Sequence, residues 1–201
     1  VISAHREANR WGVESESGRR FYGRHLVVTA PLPQAIQLLN TSGLDWAGKA
    51  IHALEAVHYE KGLATLAVLE GPSGLSQPGG FKVDVAPLEW IADNQLKGIS
   101  PDACGVTLHA NAEFAETHWG SADAVRGKLM LEAAKPFLKS AVLDFQCHRW
   151  GFTRPVNPYP ESFFENRELR LSLAGDAFGG PRVEGAALSG IELARHLLVV
   201  P

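Results

Sequence analysis

One stretch near the C-terminus limits what this chain can fold into more than any other. From Leu171 it reads Leu-Ser-Leu-Ala-Gly175-Asp176-Ala-Phe-Gly-Gly180-Pro-Arg-Val183-Glu184-Gly185-Ala186-Ala-Leu-Ser-Gly190-Ile-Glu-Leu-Ala194. The pattern predicts a short apolar strand, with Leu169, Leu171 and Leu173 alternating against Arg170, Ser172 and Ala174, that ends at Gly175-Asp176. A glycine-rich turn follows, then a helix that starts near Val183 to Gly185 with small residues in its first turn. Ligands of open α/β sheets lie beyond the carboxyl ends of the strands, so Asp176 is set where a ligand would be. An ionised carboxylate only accepts hydrogen bonds, which suits a hydroxyl-bearing ligand such as ribose or ribitol. The unpaired N–H groups of a helix start suit partial negative charge. The same residues also admit a plainer reading, in which Asp176 caps the next helix and the small residues pack that helix against a sheet.

The chain has 201 residues, 45% of them hydrophobic, enough for one large domain or two small ones. A formal charge of −3 with no basic run argues against nucleic acid or a membrane surface as partner, and for a small-molecule substrate. Cys104 and Cys147 stand in no CxxC or Cys/His ligand spacing and read as buried apolar residues in a reducing compartment. His109 and His118 share no ligand spacing with an acid or cysteine, so no metal site is expected. There is neither a membrane-length apolar stretch nor a signal-peptide pattern, and a soluble, cytoplasmic protein is expected. Val1 opens directly on a strand-like pattern, as expected of the later part of a longer polypeptide.

Residues 1–23 read as β-structure, with Trp11-Gly-Val13 and Arg20-Phe-Tyr22 flanking a polar hairpin turn that contains Gly18. His25 to Ala30 is a continuous apolar run, predicted as a strand buried on both faces. A short helix over Gln34–Leu39 follows, with Pro33 tolerated in its first turn. Between residues 62 and 110 four short strand patterns alternate with Gly/Pro/Ser turns, which favours an antiparallel sheet. Ser121 is the predicted N-cap of a helix whose Val125, Leu129, Ala133 and Phe137 repeat every four residues. Ala141 to Trp150 alternates as a strand, with Leu143, Phe145 and Cys147 on one face and Asp144, Gln146, His148 and Trp150 on the other. Three prolines mark residues 153–168 as a long irregular connection. The expected fold class is α/β plus antiparallel β, with one α/β layer built from both chain ends and a mixed α+β domain inserted between them.

The run Leu-Ala-Gly175-Asp176 followed by Gly-Gly-Pro-Arg-Val-Glu-Gly-Ala-Ala-Leu-Ser-Gly190 resembles the C-terminal FAD motif of the flavin-containing amine oxidase superfamily, most closely its bacterial renalase-like branch. Leu26-Val-Val-Thr-Ala-Pro31-Leu-Pro-Gln34 resembles the strand returning to the FAD domain, and Leu88 to Asn94 and His148-Arg-Trp150 resemble parts of the substrate domain. The resemblance implies a Rossmann-like FAD domain from residues 1–39 and 169–201 and a substrate domain from 40–168. It implies that Gly175 and Asp176 meet the ribityl chain, that Val183, Glu184, Gly185 and Ala186 lie beside the flavin pyrimidine edge, and that Val1 and Ile2 lie near the adenine. The candidate catalytic residues are Asn94 and Lys97, expected to approach flavin N5 or a bound water, and His148, Arg149 and Trp150, expected to form the wall of the substrate cavity. Each also has a plainer reading: a loop for Asn94 and Lys97, a solvated stack and ion pair for the other three.

The implied activity is hydride transfer from a reduced nicotinamide-like molecule, an NAD(P)H-type substrate, or from an amine, to FAD, with oxygen as acceptor. The family's strand–GxGxxG–helix, which holds the pyrophosphate, is absent from these 201 residues. A second reading is therefore a truncated or degenerate flavoprotein that acts as a non-catalytic binding domain.

Overall fold

The computed structural model describes residues 1–199; residues 200 and 201, the end of the expected C-terminal segment, lie outside the described residues. In chain order the elements are β1 (Ser3–Glu7), β2 (Arg10–Glu14), β3 (Arg20–Gly23), β4 (Leu26–Val28), α1 (Leu32–Asn40), α2 (Ile51–Glu55), β5 (Tyr59–Leu69), β6 (Gly80–Val85) and β7 (Leu88–Asp93). Then come β8 (Gly105–Ala110), α3 (Ala112–Thr117), α4 (Asp123–Ala134), β9 (Val142–Pro155), β10 (Phe164–Asn166), β11 (Leu171–Leu173), α5 (Asp176–Gly179) and α6 (Val183–Val199). The fold is mixed α/β with antiparallel sheets. Two compact units divide it, one made of Val1–Tyr59 and the chain from Arg154 onward, the other of Glu60–Thr153. These bounds differ from the division at 39/40 and 168/169 expected from the sequence.

The unit formed by the chain ends holds two three-stranded sheets. In the first, β1, β2 and β3 run antiparallel, and Glu14 pairs with Arg20 across the predicted turn. Gly18 in that turn has φ of +74°, a conformation L side chains rarely adopt. The second sheet has the order β10-β11-β4, with β11 parallel to β4 and antiparallel to β10. Its core gathers Trp11, Leu32, Leu39, Trp46, Leu54, Leu171 and Leu173. Both buried indoles keep a polar partner: Trp11 Nε1 donates to Leu169 O at 2.7 Å and Trp46 Nε1 to Asn40 Oδ1 at 3.0 Å.

Three expectations in this unit are corrected. The apolar run at His25 yields a strand of only three residues, and it is not buried on both faces. Val28 faces the core while Val27, on the opposite side, is 43% exposed. The proline-rich connection contains β10, because Phe164 to Asn166 find partners in Leu173 to Leu171. The final strand is confined to Leu171–Leu173, preceded by Arg170 at φ of +51°, and all three of its residues are buried, so it does not alternate.

In the Glu60–Thr153 unit a five-stranded sheet has the order β6-β7-β8-β5-β9. The β6–β7, β7–β8 and β8–β5 pairs are antiparallel, as predicted. Leu63, Ile91, Leu108 and Cys147 pack on Met130 and Ala134 of α4. Two predictions for α4 fail. Its N-cap is Ala122, without a side-chain cap, and its buried face is Arg126, Gly127, Met130 and Ala134 rather than the Val125 and Leu129 stripe, which is exposed.

Packing explains the rotation of α4. Gly127 leaves room for the Phe145 ring, which a Cβ there would meet at 2.5 Å. The Arg126 guanidinium is buried with it and donates to the carbonyls of Trp119 (3.0 Å) and Ser121 (2.8 Å) and to Asp123. Ser121 thus serves the helix through its carbonyl rather than its hydroxyl. Cys147 is buried as expected, whereas Cys104 is half-buried and donates to Gln95 Oε1 at 3.3 Å; both are free thiols.

Candidate functional site

The turn after β11 is built around Gly175, whose φ of +137° and ψ of −160° lie outside the range of L side chains. That conformation turns the chain so that Asp176 opens α5, half-buried. Asp176 Oδ1 accepts a hydrogen bond from the Tyr59 hydroxyl at 3.0 Å, and the same hydroxyl accepts from Leu32 N at 3.3 Å. Burial, and after it the negative charge of Asp176, push the Tyr59 phenol well above its usual range, so it remains a donor. Among the described residues Asp176 Oδ2 takes no hydrogen bond. A carboxylate has about four acceptor positions, so most of its capacity is left for a ligand.

The turn is tied to α6 by Ser189, which is 1% exposed. Its hydroxyl accepts from Gly175 N at 2.9 Å and donates to Ser162 O at 2.6 Å. Gly179 and Gly185 touch backbone to backbone: a Cβ on Gly185 would lie 2.5 Å from Gly179 O and 2.7 Å from Gly180 O, and one on Gly179 would overlap Gly185 O. The small residues therefore do pack closely, as the plainer reading held. The first bond entering α6 runs from Ala186 N to Arg182 O at 3.0 Å, which leaves the N–H groups of Val183, Glu184 and Gly185 unpaired among the described residues. The packing half of the plainer reading thus holds, while its other half does not: Gly175 is the N-cap of α5, and Asp176 lies inside that helix without capping it through its side chain. Val1 is exposed at the end of β1, where the neighbouring Ile2 N bonds to Glu14 O, and among the described residues no hydrogen bond or ion pair joins Val1 to the Asp176 turn.

Register sorts the candidates in the other unit. Thr107 pairs with Ala92 on one side and Leu66 on the other, and His109 with Trp90 and Ala64, so these residues share one sheet face. Asn94 extends it, donating from Nδ2 to Thr107 Oγ1 at 3.0 Å. On β9, Phe145 packs toward the core and Cys147 is buried, so the alternation sends Gln146, His148 and Trp150 to the open face, where Trp150 is 61% exposed. Arg149 is thereby separated from its two neighbours. It lies across the Trp119 ring, 5.6 Å from guanidinium to centroid, and Lys61 lies 5.3 Å from that same ring. Lys97 stands exposed in the turn after β7.

Sequence reasoning missed Tyr59, Trp90 and Thr107, and it weighed His109 only as a metal ligand. Burial, followed by the charge of Lys97, pushes the His109 imidazole below its usual pKa, against the opposing effect of Glu89. Nothing local marks Tyr59 as a partner for a residue 117 positions away. The β7–β8 register was the only signal for the other three. Among the described residues no group of three or more His, Cys, Asp or Glu side chains is placed to hold a metal ion, and no helix is long and apolar enough to cross a membrane.

No family model matches the chain. It is similar to mouse (Mus musculus) renalase, with 23% identity over 216 residues that cover 98% of the chain and 60% of renalase. Its fold is similar to that of an oxidoreductase from Methanosarcina mazei, with a TM-score of 0.68 at 16% identity, covering 96% of this chain and 48% of the other. A putrescine oxidase variant redesigned in its cofactor binding has a TM-score of 0.65 at 11% identity, covering 99% and 48%. The chain thus spans 60% of the length of mouse renalase and about half of each of these structural neighbours.

Proposed function

We propose that this chain belongs with the flavin amine oxidase superfamily, which its similarity to renalase and the fold it shares with putrescine oxidase support, and that it forms the flavin-ring part of an FAD-dependent oxidoreductase. One observation carries the reading: a half-buried carboxylate, Asp176, is held by Tyr59 through one oxygen and is open at the other, beside a helix start with unpaired N–H groups.

The donor set fits this end of the cofactor. Asp176 would accept from a ribityl hydroxyl, and the Val183, Glu184 and Gly185 N–H groups would favour the electron-rich edge of the ring. Val1 and Ile2 are proposed for the adenine side. FAD supplies two-electron redox chemistry when bound, with hydride taken from a reduced nicotinamide-like molecule or an amine and oxygen as acceptor. The Glu60–Thr153 unit is proposed as the inserted substrate domain. There Trp150 and His148 offer an aromatic surface and a hydrogen-bonding ring for substrate, and Asn94 offers its carbonyl oxygen and its second amide N–H, the first being given to Thr107. Arg149 and Lys97 are kept as outer contributors of positive charge.

The test is FAD titration of the full-length protein and of its Asp176→Ala variant. Losing a charge-assisted hydrogen bond should weaken binding by about 1.5–3 kcal/mol. Flavin absorbance that never appears on reconstitution would overturn the reading in favour of a non-catalytic binding domain, and unchanged affinity in Asp176→Ala would remove the role given to that residue.

A further inference from the structure

The return of the chain at residues 156–159 braces both partners of the Tyr59–Asp176 hydrogen bond. Glu70 N bonds to Ala141 O at one end of β5 and β9, and Val156 N to His58 O (2.8 Å) at the other, so the two strands run antiparallel. The next rung of that ladder would carry an N–H at position 158 to Ala56 O. Pro158 has no N–H. The Asn157 side chain takes its place: Nδ2 donates to Ala56 O at 2.6 Å, and Oδ1 accepts from His58 N at 2.8 Å. Both polar backbone groups of His58, the residue before Tyr59, are thereby held. One residue beyond Pro158, Tyr159 N donates to Ala177 O at 2.7 Å, and the Tyr159 and Phe178 rings pack 5.5 Å apart, both contacts falling on the short helix that Asp176 opens.

We propose that Asn157 is a positioning residue for the Asp176 carboxylate: by completing the ladder it sets the backbone of Tyr59, whose hydroxyl fixes Oδ1 and leaves Oδ2 open to a ligand. The proposal rests on the flavin reading only in taking a ribityl hydroxyl as that ligand; the link from Asn157 through Tyr59 to Asp176 stands without it. Val156 is 62% exposed and Asn157 is exposed as well, so little packing holds this segment and its hydrogen bonds decide where it lies. A carboxamide suits the task because it carries an acceptor and a donor on neighbouring atoms. Asn157→Asp keeps the acceptor for His58 N but sets a carboxylate oxygen against Ala56 O. Asn157→Ala offers neither group.

Two readouts in the full-length protein separate positioning from plain stability. The first is the fluorine NMR signal of fluorotyrosine at Tyr59, identified by its loss in Tyr59→Phe. In Asn157→Ala and Asn157→Asp it should move toward its position in Asp176→Asn, where the acceptor has lost its charge. A signal that stays at the wild-type position in either folded variant overturns the proposal. The second is FAD titration, in which Asn157→Ala should weaken binding about fivefold, the scale of one hydrogen bond. In a Tyr59→Phe background the same substitution should change nothing further, because residues that act through one shared bond are not additive. Unchanged affinity, or equal weakening in both backgrounds, overturns the proposal, the latter by showing general destabilisation. Flavin that never binds would sink the flavin reading instead, and the fluorine signal then decides the role of Asn157 alone.

Discussion

The Tyr59 hydroxyl donates to the Asp176 carboxylate at 3.0 Å across 117 residues of sequence. Through the bond it accepts from Leu32 N, the same hydroxyl links the start of α1 to the turn after β11. One carboxylate oxygen is thereby fixed and the other is aimed. Tyr59→Phe should destabilise the protein by about 0.5–1.5 kcal/mol, the usual net worth of a hydrogen bond, read as a lower urea midpoint. A midpoint equal to wild type would show that the phenol contributes only its ring.

Two glycines of α6 should respond in opposite directions. Gly185→Ala forces a methyl against Gly179 O and Gly180 O and should cost about 1–3 kcal/mol, as overpacking does. Nothing lies within 4 Å of a Cβ at Gly190, so Gly190→Ala should stabilise by about 0.5–1 kcal/mol through helix propensity alone. Thermal midpoints of the two variants check the pair.

Ser189→Ala removes two bonds from a side chain that is 1% exposed and leaves Gly175 N without its acceptor. The expected loss is about 1–3 kcal/mol in urea unfolding. Because Gly175 positions Asp176, the variant should also weaken FAD binding in the full-length protein. A loss of stability with FAD affinity intact would separate the structural role from the proposed one.

Stability should fall in mild acid through His25, whose Nε2 lies 2.9 Å from Ser172 Oγ. Burial, reinforced by Arg170 and opposed by Glu165, holds its pKa below 6.5 in the folded protein. The unfolded chain therefore binds the proton first, and this contribution is complete above about pH 6.5 and is lost as pH falls through the folded value. His25→Gln should flatten the urea midpoint against pH in that window, with His109 retaining a share of the slope.

Glu165 adds a second, lower step. Burial alone would raise its pKa, but the bonds from Arg167 at 2.9 Å and His196 at 2.8 Å hold it below its usual value. Its stabilisation is present above about pH 4.5 and disappears as pH falls through the folded pKa. Glu165→Gln should remove that step and enlarge the His25 step, because the Glu165 charge opposes the lowering of the His25 pKa.

The β2–β3 hairpin, α1, the strand patterns of the middle sheet and the strand–turn–helix around Asp176 were all legible in the sequence, because each depends on neighbours a few residues away. The start of α6 at Val183 follows from the same local signals. β10 was not legible, since three residues of unremarkable pattern become a strand only when Leu171–Leu173 lies beside them. The buried face of α4 was misread by one position because Gly127 admits the Phe145 ring, a contact that helical periodicity does not encode.

The sequence by itself determined that a carboxylate follows a strand and precedes a helix with an unobstructed first turn, since backbone propensity and side-chain size act over a few residues. Only the tertiary structure decided what that carboxylate meets. Tyr59 reaches Asp176 from β5, Ser189 reaches back from α6 to Gly175, and Arg149 turns to Trp119 while His148 and Trp150 take the open face. Each of these depends on strand register or on packing between distant segments, and neither is written in the order of neighbouring residues.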